Sequence, residues 1–451
     1  MDIDSLLTPF NHFGVNLGLE RILQLLKNLG NPHKSVPVIH VAGTNGKGSV
    51  CAYLSSILTA AGYRTGRYTS PHLIDWTERI CLDEQPIRTE ELQQVLLEVK
   101  AAITTRGANA TRGANATRGA NDSENSSPTQ FEVLTAAAWL YFAQQKVDVA
   151  VVEVGLGGRL DATNVCEEPL VTIVTSISFD HVQVLGSKIS DIAREKAGIL
   201  KYKCPVVMAP LPADAETVVR SRAEELECPI ISPCIAHQIS PTLAEYHYSQ
   251  SKGKDIKNYQ SLQYPLSLHG AIQLTNSSLA LAAVEILQNQ GWLISESAII
   301  AGMEKTKWLG RMQWTTWKDK KFTDRRLLVD GAHNPASAKA LRDYVDTLGV
   351  KSIFWVMGML STKDHTQVFQ ALLRPEDKLY LLPVADHSSA QPENLAKLAA
   401  EVCPRLKSCN VHTDLFSALD TAFSESDQSQ DLVVLCGSLY LVGYFFANRS
   451  N

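Results

Sequence analysis

Short, continuously apolar runs punctuate the chain, and longer helix-like runs separate them. The first covers residues 36–42 and is followed by an apolar helix-like run over 50–61. Three more, VDVAVVEV (147–154), LVTIVTSI (170–177) and PVVMAP (205–210), are rich in β-branched residues. Strands of a parallel sheet read this way when both faces are covered, because every side chain meets a core. Helix-like segments at 131–145 and 189–200 lie between them. A second series follows with LLVD (327–330), IFWVMG (353–358), LYLLPV (379–384) and LVVLCG (432–437), and helix-like segments intervene at 337–348 and 390–402. This alternation predicts an α/β protein. Each run ends in a polar or glycine-rich turn, where open α/β sheets place their ligands.

A chain of 451 residues is too long for one hydrophobic core, so two domains are expected. The boundary is placed at 306–310. A larger domain over 1–306, with a mostly parallel sheet, then precedes a smaller Rossmann-like α/β domain over 311–451, with the active site in the cleft between. A net charge of −5 argues against a nucleic-acid partner. No apolar run reaches the ~18 residues of a membrane span. The opening MDIDSLLTPF lacks the basic and apolar regions of a signal peptide. The nine cysteines are odd in number and scattered, which fits reduced thiols. A cytoplasmic protein is expected. Residues 105–121, TRGANA-TRGANA-TRGAN, are low-complexity and cannot build a buried face, so they are expected to form a surface loop.

The sharpest motif is Gly43-Thr44-Asn45-Gly46-Lys47-Gly48-Ser49, set between an apolar strand-like run and an apolar helix-like run. Glycines let backbone wrap an anion, and amides at a helix N-terminus point at phosphate oxygens. Lys47 adds a point charge and the Ser49 hydroxyl can ligate Mg²⁺. The loop therefore predicts an ATP or GTP site. It departs from G-x-x-x-x-G-K-[ST] in the glycine between Lys47 and Ser49.

Other candidates sit at strand ends. Glu153, before Gly155-Leu156-Gly157-Gly158-Arg159, is either a Mg²⁺ ligand or a buried structural carboxylate. The loop continues as LDATN with no apolar helix behind it, which excludes a dinucleotide fingerprint. Asp180-His181 suits a metal or phosphate contact or an ordinary strand end. On residue type alone, Glu195 and Lys196 read as a solvated helix face. Asp330-Gly331-Ala332-His333-Asn334-Pro335 is turn chemistry with ligand potential, and Gly437-Ser438 offers a hydroxyl and amides to an anion.

Taken together, NLGLERI (16–22), VAGTNGKGS, TSPHL (69–73), TERI (77–80), VEVGLGGRLDATN, Asp180-His181, REKAGI, Gly310-Arg311, DGAHNP and GSLYLVG resemble folylpolyglutamate synthase, often bifunctional with dihydrofolate synthase, in the Mur-ligase superfamily. The offset glycine in GKGS is that family's form of the loop, where peptidoglycan Mur ligases usually carry GKTS. The resemblance implies an ATP-dependent ligase that phosphorylates a folate carboxylate and joins it to the amine of L-glutamate. It implies dihydropteroate or folates, L-glutamate and ATP as partners, two Mg²⁺ ions and a monomer.

Carried over by position, Gly43, Thr44, Asn45, Gly46, Lys47, Gly48 and Ser49 would hold the phosphates. Ser49, Ser70 and Glu153 would bind the first Mg²⁺, and His181 the second. Lys196 matches the family's carbamylated, metal-binding lysine, which replaces the solvated-face reading. Lys47, Glu153, His181 and Lys196 are the implied catalytic set. Asn276, Arg311 and Asp330 would contact the nucleotide, and Arg79, His333 and Ser438 the glutamate. Gly14, Val15, Asn16 and Leu17, with Thr129, Gln130 and Phe131, would line the pteroate pocket. The chain departs from the family at Pro128-Thr129-Gln130-Phe131, where relatives often have Leu-Thr-aromatic-Phe, and at Ser361-Thr362-Lys363-Asp364, where they often have Asp-Lys-Asp. Two rivals remain: a P-loop regulatory NTPase whose second domain binds a partner, and a non-catalytic folate binder.

Overall fold

The computed structural model describes residues 2–13, 16–110, 127–248, 261–318, 324–385 and 387–449. Gly14 and Val15 of the expected pteroate pocket lie outside them, as does the repeat beyond residue 110; residues 105–110 end the helix Thr89–Ala110. The chain forms two compact units. The first comprises Met1–Ile177, Val182–Pro265 and Thr275–Thr306, and the second Ser178–His181, Leu266–Leu274 and Lys307–Asn451. Asp180 and His181 therefore group with the second unit, although they precede residue 306 in the chain.

The first unit is built on an eight-stranded sheet. Its strands are β1 (Val38–Ala42), β2 (Thr65–Tyr68), β3 (Ile80–Leu82), β4 (Gln85–Pro86), β5 (Val149–Glu153), β6 (Val171–Val174), β7 (Val206–Met208) and β8 (Ile230–Ile231). Their spatial order is β4-β3-β2-β5-β1-β6-β7-β8. The run from β2 to β8 is parallel, and only β3 and β4 join antiparallel. Every residue of β1, β5 and β6 is buried. That is why their sequences are continuously apolar rather than alternating. The helix Gln130–Gln145 packs Leu134, Ala138 and Phe142 into the core that takes up Val38, Ala150 and Val152. The helix Ile189–Ala197 packs Ile192 and Ala193 with Ala42, Val154 and Val174. A three-stranded antiparallel sheet follows, with β9 (His237–Ser240), β10 (Leu243–His247) and β11 (Ser261–Pro265) in the order β11-β10-β9.

The second unit holds a six-stranded sheet in the order β12-β13-β17-β14-β15-β16. Its strands are β12 (Gln313–Lys318), β13 (Asp324–Val329), β14 (Ser352–Met357), β15 (Lys378–Leu381), β16 (Ser408–Val411) and β17 (Asp431–Cys436). All pairings are parallel except β12 with β13. Its core gathers Leu328, Leu341, Trp355, Phe369, Leu381 and Val434. The α/β class with a mostly parallel sheet stands. Apolar runs did not point to β2, whose sequence TGRY carries a charge. Arg67 is nonetheless buried there, paired with Glu84 at 2.6 Å and donating to Ser55 Oγ at 3.1 Å. None of the nine cysteines is in a disulfide. Among the described residues no helix is long and apolar enough to cross a membrane.

Candidate functional site

In the first unit, β1 runs into residues 43–46, and the helix Lys47–Ala60 starts at Lys47 with no side chain capping its N-terminus. The first amides of a helix lack intrahelical partners and carry the positive end of its dipole, so this terminus suits an anion. The loop is held from the neighbouring strand β6. Thr44 N donates to Ser176 O at 2.7 Å and Asn45 N to Ser176 Oγ at 2.9 Å. The hydroxyls of Thr175 and Ser176 donate to Asn45 O at 2.7 and 2.9 Å. Two glycines are required by close approach. A Cβ on Gly43 would lie 1.9 Å from Thr175 Oγ1. One on Gly46, at φ 89°, would lie 2.4 Å from Asn276 Oδ1. Asn276, expected from the resemblance to contact the nucleotide, is buried against this turn.

Three charged groups converge on this loop. Lys47 Nζ donates to Thr44 O at 3.1 Å and lies 3.7 Å from Glu153 Oε1. Glu153, at the end of β5 and only 5% exposed, accepts from Ser70 N at 3.3 Å through its other oxygen. Lys196 Nζ donates to Gly43 O at 2.9 Å, and the residue is 4% exposed. The solvated-face reading of that helix therefore fails at Lys196. Ser49, in the first turn of the P-loop helix, is buried as well. Hydroxyl and carboxylate oxygens are the donors that suit a hard cation such as Mg²⁺, so Ser49, Ser70 and Glu153 fit one chemically.

The glycine-rich segment after β5 explains how Lys196 arrives. A Cβ on Gly158 would lie 2.7 Å from the Glu195 carbonyl, and one on Gly198 would lie 2.3 Å from Arg159 Cβ. Arg159 N donates to Glu195 O at 2.7 Å, and its guanidinium pairs with the Glu195 carboxylate at 2.8 Å. Asn164 Nδ2 donates to the carbonyls of both Arg159 and Gly198. Asp161 is fully buried and accepts from Leu156 N, Thr163 N and Thr163 Oγ1; burial pushes its carboxyl up, against these hydrogen bonds. GLGGRLDATN is thus a cradle for the helix bearing Lys196, while Glu153, two residues before it, faces the P-loop lysine.

The expected pteroate residues are partly placed. Thr129 caps the helix Gln130–Gln145 in a capping box with Glu132. Glu132 pairs with Arg21 at 3.1 Å, and Arg21 also bonds the Asn16 carbonyl. This buried pair ties NLGLERI to Thr129-Gln130-Phe131, so Asn16 and Leu17 are anchored beside that helix start. The Phe131 ring lies 6.1 Å from that of Tyr68 and fills the space a Cβ on Gly155 would take, 2.4 Å away. Arg79 donates to His72 Nδ1 at 2.9 Å and stacks over Trp76 at 4.7 Å.

In the second unit, Asp330 is buried at the end of β13 and accepts from Met312 N and Ala332 N, each at 2.8 Å. Burial raises its pKa, opposed by the charge of Arg311. A Cβ on Gly331 would lie 2.6 Å from Arg311 Nη1, so Arg311 is held over the DGAHNP turn. His333 Nδ1 sits 2.7 Å from Gly331 O, and its Nε2 lies 3.5 Å from Asp180 Oδ2. Asp180 also accepts from Asn334 Nδ2 at 3.1 Å and Lys363 Nζ at 2.8 Å. Burial alone would raise the Asp180 pKa, but the His333 hydrogen bond and the Lys363 charge hold it well below the carboxylate range. His181 follows at φ 50° with its ring about half exposed. Ser438 is buried and caps the helix Leu439–Asn448 through Tyr440 N at 3.2 Å.

The structure thus brings Gly43 to Ser49, Ser70, Glu153, Lys196 and Asn276 together in one unit, and Arg311, Asp330, His333 and Asp180 in the other. Thr175, Ser176, Arg21, Glu132 and Lys363 also hold these clusters together, but the sequence reading gave none of them a role. A hydroxyl pair directly after an apolar run, as in VTS (174–176), was the available signal for the first two.

Two outcomes follow from these contacts. Gly158→Ala forces a methyl onto the Glu195 carbonyl and should lower stability by about 1–3 kcal/mol, read from urea unfolding. Glu132→Gln keeps a capping side chain but discharges the partner of Arg21, and should cost about 1.5–3 kcal/mol in the same measurement. An unchanged midpoint in either variant would contradict the corresponding contact.

Comparison with known proteins agrees across both units. Residues 88–284 match the Mur ligase middle domain, and residues 313–447 match the C-terminal domain of dihydrofolate synthetase. The dihydrofolate synthase/folylpolyglutamate synthase of Bacillus subtilis is 33% identical over 437 residues, covering 95% of this chain and 94% of that protein. A bifunctional folylpolyglutamate synthase/dihydrofolate synthase solved with Mn, AMPPNP and L-glutamate superposes with a TM-score of 0.80 at 29% identity, covering 100% of this chain and 98% of that one. Escherichia coli FolC, solved with DHPP and ADP, gives 0.79 at 29% identity and covers 98% and 95%. With such similarity running from end to end, the chain belongs to the dihydrofolate synthase/folylpolyglutamate synthase family of Mur-type ligases.

Proposed function

We propose that this protein is an ATP-dependent ligase that adds L-glutamate to dihydropteroate, to reduced folates or to both, through an acyl phosphate. The observation that carries the reading is the convergence of Lys47, Glu153 and Lys196 on the 43–49 loop. Relatives of the same family bind AMPPNP, ADP, Mn, L-glutamate and DHPP, which supports nucleotide, divalent metal and both co-substrates here.

A carboxylate is a poor acylating agent because its leaving group is oxide. Transfer of the γ-phosphoryl group from ATP to the folate carboxylate oxygen releases ADP and supplies phosphate as a leaving group. The α-amine of glutamate then attacks the acyl carbon, the C–O bond to phosphate breaks, and the amine loses a proton. Catalysis is chiefly positioning and charge neutralisation. Amides of residues 43–49 cradle the phosphates and Lys47 moves its charge onto them. Ser49, Ser70 and Glu153 are assigned to one Mg²⁺, and Lys196 and His181 to the second. These ions would neutralise phosphate and carboxylate oxygens that otherwise repel. Lys196 is assigned as a carbamate, formed when its free amine adds to CO₂ with loss of a proton; this converts a cation into an oxygen ligand. Asn276, Arg311 and Asp330 are assigned to the nucleotide. Arg79, His333 and Ser438 are assigned to glutamate, and Asn16, Leu17, Thr129, Gln130 and Phe131, with Gly14 and Val15, to the pteroate.

Phosphate release measured with ATP, dihydropteroate or tetrahydrofolate, and with or without glutamate, tests the reading. Release should require both the acceptor and glutamate; turnover indifferent to glutamate would instead favour a regulatory NTPase. Lys196→Ala should reduce ligation at least a hundredfold. Wild-type activity should fall on CO₂ depletion and return with bicarbonate, accompanied by a carbamate signal from ¹³C-bicarbonate in the NMR spectrum. Full activity of Lys196→Ala would remove the carbamate role.

A further inference from the structure

Outside this machinery, the antiparallel sheet β9–β11 carries a second group of ligating side chains. Strand alternation separates its two faces. Ala244, Tyr246, Leu262 and Tyr264 point into the core, where Tyr246 bonds Glu285 and Tyr264 bonds Ser277. The opposite face therefore presents Glu245 and His247 from β10. His237 stands directly across from Glu245 in β9, while Gln263 and Ser261 stand across from Glu245 and His247 in β11. Two imidazoles and a carboxylate meet on a face that alternation would otherwise leave to ordinary surface residues.

We propose that His237, Glu245 and His247 bind one divalent transition-metal ion of the zinc class, a site independent of the ligase reading. The ligand atoms of the three residues all lie within 4.8 Å of one another. Glu245 Oε2 is 3.1 Å from His237 Nε2 and 3.9 Å from His247 Nε2. Tetrahedral bonds of ~2.0–2.1 Å place ligand atoms about 3.3 Å apart, so modest side-chain rotation closes the set around an ion. The two rings lie nearly parallel, 21° apart with centroids at 5.6 Å, and both send Nε2 toward the same carboxylate oxygen. The other oxygen, Oε1, is already held by Ser261 Oγ at 2.9 Å and Gln263 Nε2 at 3.3 Å. A carboxylate oriented through one oxygen, with the other turned to two imidazoles, is the outer-shell support that metal ligands receive. Imidazole selects Zn²⁺, Cu²⁺ or Ni²⁺ over Mg²⁺, so this site would not compete for the cation of the P-loop. The ligands come from two adjacent strands, and an ion there would clip β9 to β10.

The full-length protein, stripped with EDTA and returned to excess Mg²⁺, is dialysed against micromolar Zn²⁺ and its zinc content measured. Wild type should hold one equivalent more than the double variant His237→Ala/His247→Ala. Glu245→Gln, which keeps the side-chain shape, should bind at least tenfold more weakly. Co²⁺ in wild type should give a visible d–d spectrum without a thiolate charge-transfer band, lost in the double variant, which separates the site from the cysteines. Hydrogen exchange in residues 237–247 should slow when Zn²⁺ is added to wild type only. Equal zinc content in wild type and both variants overturns the proposal, and if the double variant fails to fold, wild-type affinity in Glu245→Gln overturns it alone.

Discussion

The close seating of the helix Ile189–Ala197 against the loop after β5 is the contact on which the rest of the nucleotide cluster depends. A helix carrying a lysine reaches the floor of a phosphate loop only if backbone approaches backbone. Gly158 beneath the Glu195 carbonyl and Gly198 against Arg159 make that approach sterically open. The Lys196 ammonium then finds the Gly43 carbonyl and leaves solvent almost completely. Burying an ammonium is costly unless it is paired, and the Gly43 carbonyl supplies one partner here, so the lysine and the phosphate loop are held to each other.

Glu153 is the second constraint on the same cluster. It ends a strand buried on both faces, so its backbone is fixed by the sheet while its carboxylate emerges at the strand's carboxyl edge. One oxygen faces the Lys47 ammonium and the other the Ser70 amide. The side chain thus sits between the loop that handles phosphate and the segment TSPHL. In the second unit, Asp180 has the corresponding role of a charge hub, with His333, Asn334 and Lys363 converging on one carboxylate.

Much of this was legible in the sequence. The strands at 149–153, 171–174 and 431–436 announce themselves because burial on both faces demands unbroken apolar runs. The P-loop announces itself because only glycine tolerates the contacts at 43 and 46. Other parts were hidden for physical reasons. β2 is a buried central strand, yet Arg67 is accommodated there by Glu84, a partner across a turn that no local pattern reveals. The antiparallel β9–β11 sheet is half solvated and short, so its alternation is weak against the surrounding polar sequence. The Lys196 helix looked solvated because helical spacing reports which residues share a face, not that glycines elsewhere bring a loop onto it. There the family resemblance, not periodicity, identified the lysine.

The P-loop motif is contiguous, but its shape is not locally encoded. Residues 43–46 are held by Thr175 and Ser176 and closed by Asn276, more than two hundred residues further along. Loop-closure entropy has to be met before such contacts reward the chain. The anion cradle is therefore a non-local feature: its shape exists only where β6 lies beside β1 and the segment containing Asn276 lies against Gly46. Cutting the motif out of this chain, contiguous as it is, would carry over its residues without the contacts that shape it.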